Sequence, residues 1–252
     1  MRTSTGKENA CATDLSIVIP AYNEARRVRA SLITVLDFLT NNFERFEIVL
    51  VDDGSTDGTA QEAESLESPH VRVLRNESNI GKGASVKRGV LDSRMNVILF
   101  SDTDLSTPIE ELQLLLESIE KGHDVAIASR WLEKGQDVQR GFLRNIQGRA
   151  FSFIVRVLLI PDFPDTQCGF KMFRRDAAQR LFRAQSLQGW GFDIELLFLA
   201  RKWGMSVGQV PVRWYKSNES KLKITTPLAM LRDILTVRWN HLLGRYDTPS
   251  AK

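Results

Sequence analysis

The feature that most limits what this chain can fold into is a series of short, nearly continuous apolar runs: LSIVIP, FEIVLVDD, VRVLRN, NVILFSD and DVAIAS, all within residues 15–129. A strand with one wet face alternates apolar and polar side chains, whereas a run apolar at almost every position must be covered on both faces. Between these runs, NEARRVRASLITVLDFL, TDGTAQEAESL, GKGASVKRGVLDS and TPIEELQLLLESIEKG carry apolar residues three and four apart, the period of a helix. Asn23, Thr56 and Thr107, the last followed by Pro108, stand where N-caps are expected. Strand and helix in alternation predict an α/β fold, a mostly parallel central sheet between two helical layers in a Rossmann-like three-layer sandwich.

Composition narrows the function classes. A length of 252 residues suits one large α/β domain or two small ones. Lys and Arg number 34 against 31 Asp and Glu, a net charge of +3, so no field over the whole molecule points to nucleic acid and none is expected as a partner. Basic residues cluster only locally, between Arg130 and Arg156. Cys11 and Cys168 lie far apart, with neither a disulfide framework nor zinc-ligand spacing, which fits a reducing cytosol. The segment MRTSTGKENACATD lacks the apolar core of a signal peptide, and residues 1–14 read as a disordered tail. The longest apolar stretch, FSFIVRVLLI, is broken by Arg156, is followed by Pro161, and falls short of the roughly 20 residues of a spanning helix.

After Ser129 the alternation weakens. Residues 130–225 read as an extension of the same domain, with a helix from about Arg174, another within FDIELLFLARKWG and a strand near VGQVPVRW. Residues 226–246 read as an amphipathic helix and 247–252 as a tail. The helix is expected to set Leu228, Leu231, Ile234, Leu235, Trp239 and Leu242 on one face, with Arg232, Arg238 and Arg245 elsewhere. Such a helix packs on its own domain or lies on a membrane surface.

Ligands of open parallel sheets bind outside the carboxyl ends of the strands. Three such ends are polar here: IPAYNE, where Pro20 is expected to stop the strand and Glu24 to begin a helix; VDDGSTDGT, with Asp52, Asp53 and a turn-forming Gly54; and FSDTDLST. All three should converge on one edge. Asp102 and Asp104, if still extended, point to the same side and repel each other. A divalent cation such as Mg2+, held by one or two carboxylates with water and substrate phosphate, removes that conflict. Capping of the helix after Pro108 is the other reading of the pair. DTDLS also approaches the DxDx[TV] signature of haloacid-dehalogenase-type phosphohydrolases, but that motif lies on the first strand of its family, and the fifth position here is Ser106. NIGKGASVKRG lacks the G-x-x-x-x-G-K-[ST] of a P-loop, so Gly81, Lys82 and Gly83 are expected to open a helix near a phosphate or base.

Taken together and in this order, SIVIPAYNE, EIVLVDDGSTDGT, NIGKGASVKRG and FSDTDLS resemble the family 2 glycosyltransferases of GT-A fold. IASR, DTQCGFKMF, GWGFDIELL and VPVRWYKSNESKL are similar to the polyprenyl-phosphate hexosyltransferases, and TQCGF to their dolichyl-phosphate β-glucosyltransferase branch more than to the mannosyl branch. The resemblance covers roughly residues 15 to 225. It implies a nucleotide-binding half at 15–129, an acceptor-side half at 130–225, and inverting transfer of glucose from UDP-glucose to a dolichyl or other polyprenyl phosphate. It places Pro20, Ala21, Tyr22, Glu24, Asp52, Lys82 and Asp102 on the nucleotide sugar, with Ser220 and Lys221 closing over it. Asp102 and Asp104 would hold Mg2+ or Mn2+. Asp165 would lie near the reacting centre, and Arg130, Arg144 and Arg149 would take the acceptor phosphate, with Arg140 in the same run. Phe142, Leu143, Phe151, Phe153 and Ile154 would then enter the headgroup layer.

Members of the eukaryotic glucosyl branch carry an N-terminal membrane helix and many bacterial relatives C-terminal ones. Neither is read in this sequence, so peripheral attachment to the cytoplasmic face of a membrane is expected. The competing readings are a GDP-mannose-dependent enzyme, a noncatalytic nucleotide- or lipid-binding surface protein, and a phosphohydrolase.

Overall fold

The computed structural model describes residues 13–132, 159–215 and 226–247, the side chains of 226–230 excepted. Arg140, Arg144, Arg149, Ser220, Lys221, the five apolar residues from Phe142 to Ile154 and the side chain of Leu228 lie outside the described residues.

All five apolar runs form strands: β1 (Leu15–Ala21), β2 (Phe46–Asp52), β3 (Val71–Arg75), β4 (Val97–Ser101) and β5 (Val125–Ser129). The helical stretches between them are α1 (Ala25–Asn42), α2 (Thr59–Glu64), α3 (Lys82–Asp92) and, after a 3-10 turn at Ile109–Glu111, α4 (Leu112–Glu120). Then follow β6 (Phe170–Arg174), α5 (Arg175–Ala184), α6 (Phe192–Lys202), β7 (Val207–Pro211) and α7 (Thr226–Leu242). The sheet has seven strands in the order β3-β2-β1-β4-β6-β5-β7. Only β6 runs against its neighbours; the other pairs are parallel. Every residue of β1 and β2 is buried, as a doubly covered sheet requires. One face packs on α1 and α4 through Leu32, Val35, Leu112 and Leu115, the other on α3, α5 and α6 through Val86, Leu181, Phe182 and Leu197.

The chain winds β1, β2, β3 outward in one direction, then returns across the sheet to set β4 on the other side of β1. That reversal opens a crevice at the carboxyl ends of β1 and β4, the place where such sheets take ligands. The strand β6 was not expected from the sequence. Lys171 interrupts its apolar run, and its direction brings Phe170 opposite Ser101, at the same edge where β4 ends.

Two local expectations are corrected. Pro20 does not stop β1, which continues beside β2 to Ala21; pairing with β4 ends earlier, at Val18, so the missing N–H of Pro20 interrupts no ladder there. Nor do Asn23, Thr56 and Thr107 cap helices, which follow Glu24, Gly58 and Pro108 instead. The reason is that two loops lie side by side. Asn23, at φ 51°, accepts from the Thr56 N–H at 2.9 Å and donates its own N–H to Ser55 Oγ at 2.8 Å. Asp57 serves both helix starts, accepting from Ala25 N at 3.1 Å and from Thr59 N at 3.1 Å.

The expected single apolar face of α7 is in fact two faces. Ile234 and Val237 are buried in the core, while Leu231, Leu235, Trp239 and Leu242 are exposed, joined by Leu243 beyond the helix. The helix is locked by Glu195, which has no solvent exposure and takes four donors: Ser186 N at 2.9 Å, Ser186 Oγ at 2.6 Å, Leu187 N at 2.8 Å and the Tyr246 hydroxyl at 2.6 Å. Burial, then this bond to Glu195, pushes the Tyr246 phenol up to about 12. Tyr246→Phe removes one donor from a buried carboxylate and an acceptor from the Asn240 amide. A loss of about 1–3 kcal/mol is expected, read by urea denaturation, with the helix content unchanged.

Candidate active site

The polar ends of β1, β2 and β4 meet at one edge, as expected from the sequence. Asp102 and Asp104 are not extended, however. The chain turns directly after Ser101: Leu105 N donates to the Asp102 carbonyl at 3.2 Å, and Leu105 has φ 47°. Asp104 Oδ1 accepts from Ser106 N at 3.0 Å, closing the turn, so neither aspartate caps the helix after Pro108. The turn is fastened to β1 by Thr103, whose hydroxyl donates to the Pro20 carbonyl at 2.5 Å.

Asp102 is gripped from behind by β6. Its N–H donates to the Gly169 carbonyl at 3.1 Å, and a Cβ on Gly169 would run into the Asp102 carboxylate. From the front Lys82, the first residue of α3, reaches Asp102 Oδ1 at 2.7 Å. The Lys82 ammonium also sits 4.7 Å from the centre of the Trp190 ring and 5.3 Å from that of Phe100. Burial works to lower its pKa, but Asp102 and then Asp193 outweigh this and raise it, so Lys82 stays a cation.

Deeper in, Lys171 has no solvent exposure. It donates to Asp193 Oδ1 at 2.6 Å and to the Cys168 carbonyl at 2.6 Å. Burial raises the Asp193 carboxyl against the pull of Lys171 and Lys82. On the other side of Cys168, Arg130 forks onto Asp165: Nε to Oδ2 at 2.7 Å, Nη2 to Oδ1 at 2.6 Å, and the Arg130 N–H to Oδ2 at 2.9 Å. Burial alone would raise the Asp165 carboxyl, yet Arg130 holds it below the usual carboxylate range. Burial pushes the Cys168 thiol up to about 11, against the opposing pull of Arg130.

The other expected nucleotide residues line the same edge. Tyr22 is half exposed; Asp52 is buried and accepts from Ser55 N at 3.2 Å; Glu24 pairs with Arg27 at 2.5 Å. A small recess beside Asp102 is lined by Ser106, Thr107, Gly169 and Trp214.

Comparison with known proteins decides the family. The glycosyl transferase family 2 model matches residues 16–182. The chain belongs to glycosyl transferase family 2. A relative from Dictyostelium discoideum named dolichyl-phosphate beta-glucosyltransferase is 35% identical over 253 residues, covering 94% of this chain and 77% of the relative. A human relative of the same name is 34% identical, covering 92% and 77%. Among solved structures, glucosyl-3-phosphoglycerate synthase from Mycobacterium tuberculosis, in complex with Mn2+ and UDP-glucose, superposes with a TM-score of 0.66 at 19% identity, covering 95% of this chain and 81% of that one. The fold is GT-A.

In this family 2 glycosyltransferase, sequence reasoning singled out Asp102, Lys82, Arg130 and Asp165, and the structure gathers them at one edge. It passed over Asp193, Lys171, Gly169 and Trp190, and named Asp53 only as part of the polar end of β2. Asp53 shapes the loop before α3, accepting from Ile80 N and Gly81 N at 3.0 Å each. The available signals were a lysine inside the apolar run GFKMF and an aspartate opening the apolar helix FDIELLFLA. Among the described residues no group of three or more His, Cys, Asp or Glu side chains gathers to hold a metal ion. Two carboxylates on one turn do fit a hard cation such as Mg2+ or Mn2+ that brings water and substrate phosphate as its remaining ligands.

Asp165→Asn leaves Arg130 buried without its counter-charge, and should lower stability by roughly 3–5 kcal/mol at neutral pH. Because the folded carboxyl is depressed, the pair's contribution is fully present above the unfolded value of about 4 and is lost as pH falls through the lower folded value. Urea denaturation of both proteins should therefore show the gap narrowing only as the pH is taken below about 4.

Proposed function

We propose that this glycosyltransferase moves glucose from UDP-glucose to a dolichyl or other polyprenyl phosphate, with inversion at the anomeric carbon. The observation that carries the reading is the Asp102–Asp104 turn, presented at the crevice between β1 and β4 with Lys82 on one side and the Arg130–Asp165 pair nearby. The names of the relatives supply the sugar and the acceptor, and the Mn2+ and UDP-glucose bound by the structural neighbour agree with a metal-dependent donor site.

Pro20, Ala21, Tyr22, Glu24 and Asp52 hold the uridine and ribose, Lys82 faces the diphosphate, and Asp102 with Asp104 holds Mg2+ or Mn2+. The metal, when bound, neutralises charge that develops on the departing diphosphate. Arg130 faces the acceptor phosphate, joined by Arg144 and Arg149, while Ser220 and Lys221 close over the donor. An oxygen of the lipid phosphate attacks C1 from the side opposite the diphosphate; the C1–O bond to UDP breaks as the new one forms, and an α-linked donor gives a β-linked product. Asp165 acts through Arg130, since both its oxygens already accept from that guanidinium. No base is needed, because a phosphate monoester with a second pKa near 6 is largely ionised at neutral pH.

The outer row of α7 supports docking on a membrane surface, which this reading takes to be the cytoplasmic face. Leu235, Trp239 and Leu242 are 59%, 62% and 67% exposed, and Arg232, Arg238 and Arg245 beside them suit anionic lipid. No helix among the described residues is long and apolar enough to cross a membrane.

Incubation with labelled UDP-glucose or GDP-mannose, dolichyl phosphate and Mn2+ should carry glucose, not mannose, into the organic phase. Asp104→Ala or chelation should reduce transfer by roughly a hundredfold or more; absence of lipid-linked sugar from every donor would remove the reading. In a separate flotation assay, Leu235→Glu with Trp239→Glu should abolish co-migration with anionic vesicles while leaving the melting temperature within a few degrees.

A further inference from the structure

We infer that Lys82 stands in for the divalent cation: it neutralises Asp102 while the donor site is empty and transfers to the nucleotide's diphosphate when the metal takes that carboxylate. Metal and nucleotide then bind as one unit. The inference rests on the reading that Asp102 and Asp104 hold the metal.

Three observations carry it. First, the Lys82 ammonium occupies Asp102 Oδ1 at 2.7 Å, and the Asp102 side chain, 35% exposed, lies close to Gly169 on its other side. A dication arriving at Asp102 meets a positive charge already seated there, and at such separations two like charges repel strongly in a partly buried site. Second, the protein offers two carboxylates and no larger ligand group among the described residues, so a bare cation has little to gain by displacing the lysine. A cation that arrives with a diphosphate does gain, because the diphosphate completes its coordination and also receives the displaced ammonium.

Third, the lysine is built to move at its tip alone. Its root is fixed: Gly81, at φ 104°, and Gly83 are pressed against the backbone of residues 187–189, where side chains could not fit, and Ala84 N donates to the Gln188 carbonyl at 3.1 Å. The tip lies between the Trp190 and Phe100 rings, which favour a cation wherever it swings across them. Asp193 contributes attraction from behind but is already bonded to Lys171, so it does not capture the tip.

The test measures Mn2+ binding, by the electron paramagnetic resonance of the free ion, with and without UDP. Wild-type protein should bind Mn2+ alone weakly and much more tightly with UDP. Lys82→Met, which keeps the apolar stem, and Lys82→Gln should each bind Mn2+ alone roughly tenfold more tightly, yet bind UDP with Mn2+ more weakly, so the coupling between the two shrinks. Thermal unfolding identifies which variants are folded. Unchanged Mn2+ affinity in a folded variant without UDP overturns the inference and leaves the metal site standing. Failure of wild-type protein to bind Mn2+ even with UDP, or full binding by Asp104→Asn, overturns the metal reading and the inference with it.

Discussion

A lysine without access to water lies near the middle of the sheet, and much of the site is arranged around it. Removing an ammonium from water costs several kcal/mol unless a counter-charge and hydrogen bonds meet it in place. Lys171 is met by the Asp193 carboxylate and the Cys168 carbonyl. The first requirement fixes the start of α6 over the sheet; the second fixes the peptide that leads into Gly169, against which Asp102 rests. Around this pair stand Lys82 with Asp102 and Arg130 with Asp165, so three cations and three carboxylates balance within one partly buried cluster. Each carboxylate is held in position by a cation whose own place is set by the fold.

The direction of β6 makes the cluster possible. A parallel strand beside β4 would have delivered its beginning to the opposite edge of the sheet. Being antiparallel, β6 begins where β4 ends, so Cys168 and Gly169 arrive next to Asp102 and Lys171 follows inside the core. Glycine at position 169 leaves room for the Asp102 carboxylate, which a Cβ there would displace.

What could be read from the sequence follows from which interactions are local. The five strands of residues 15–129 were legible because burial on both faces writes itself as continuous hydrophobicity. The strand β6 was not, since the residue that breaks its pattern is rational only with a partner 22 positions away. Arg130 and Asp165 were each singled out, but their pairing across 35 positions was invisible. The expected N-caps at Asn23 and Thr56 failed because these two residues bond to each other across neighbouring loops, while Asp57 accepts from the starts of both helices. The turn at Asp102 depends on Leu105 taking a left-handed conformation, which leucine does not announce.

The two faces of α7 join the outer surface to this interior. Its inner face seats Ile234 and Val237 in the core, and Asp233 accepts from the Gly191 N–H at 3.2 Å. Tyr246, just beyond the helix, bonds to Glu195, which in turn holds Ser186 and Leu187. The segment from Ser186 to Gly191 therefore takes its shape from the C-terminal helix, and that segment packs against Gly81 and Gly83 and carries the Trp190 ring that flanks Lys82. Since the outward row of the same helix is apolar and exposed, the position of the helix and the walls of the lysine that faces Asp102 are set by one set of buried contacts. A change that unseats Tyr246 or Asp233 acts on both, whereas a change confined to Leu235 or Trp239 acts on the outer surface alone.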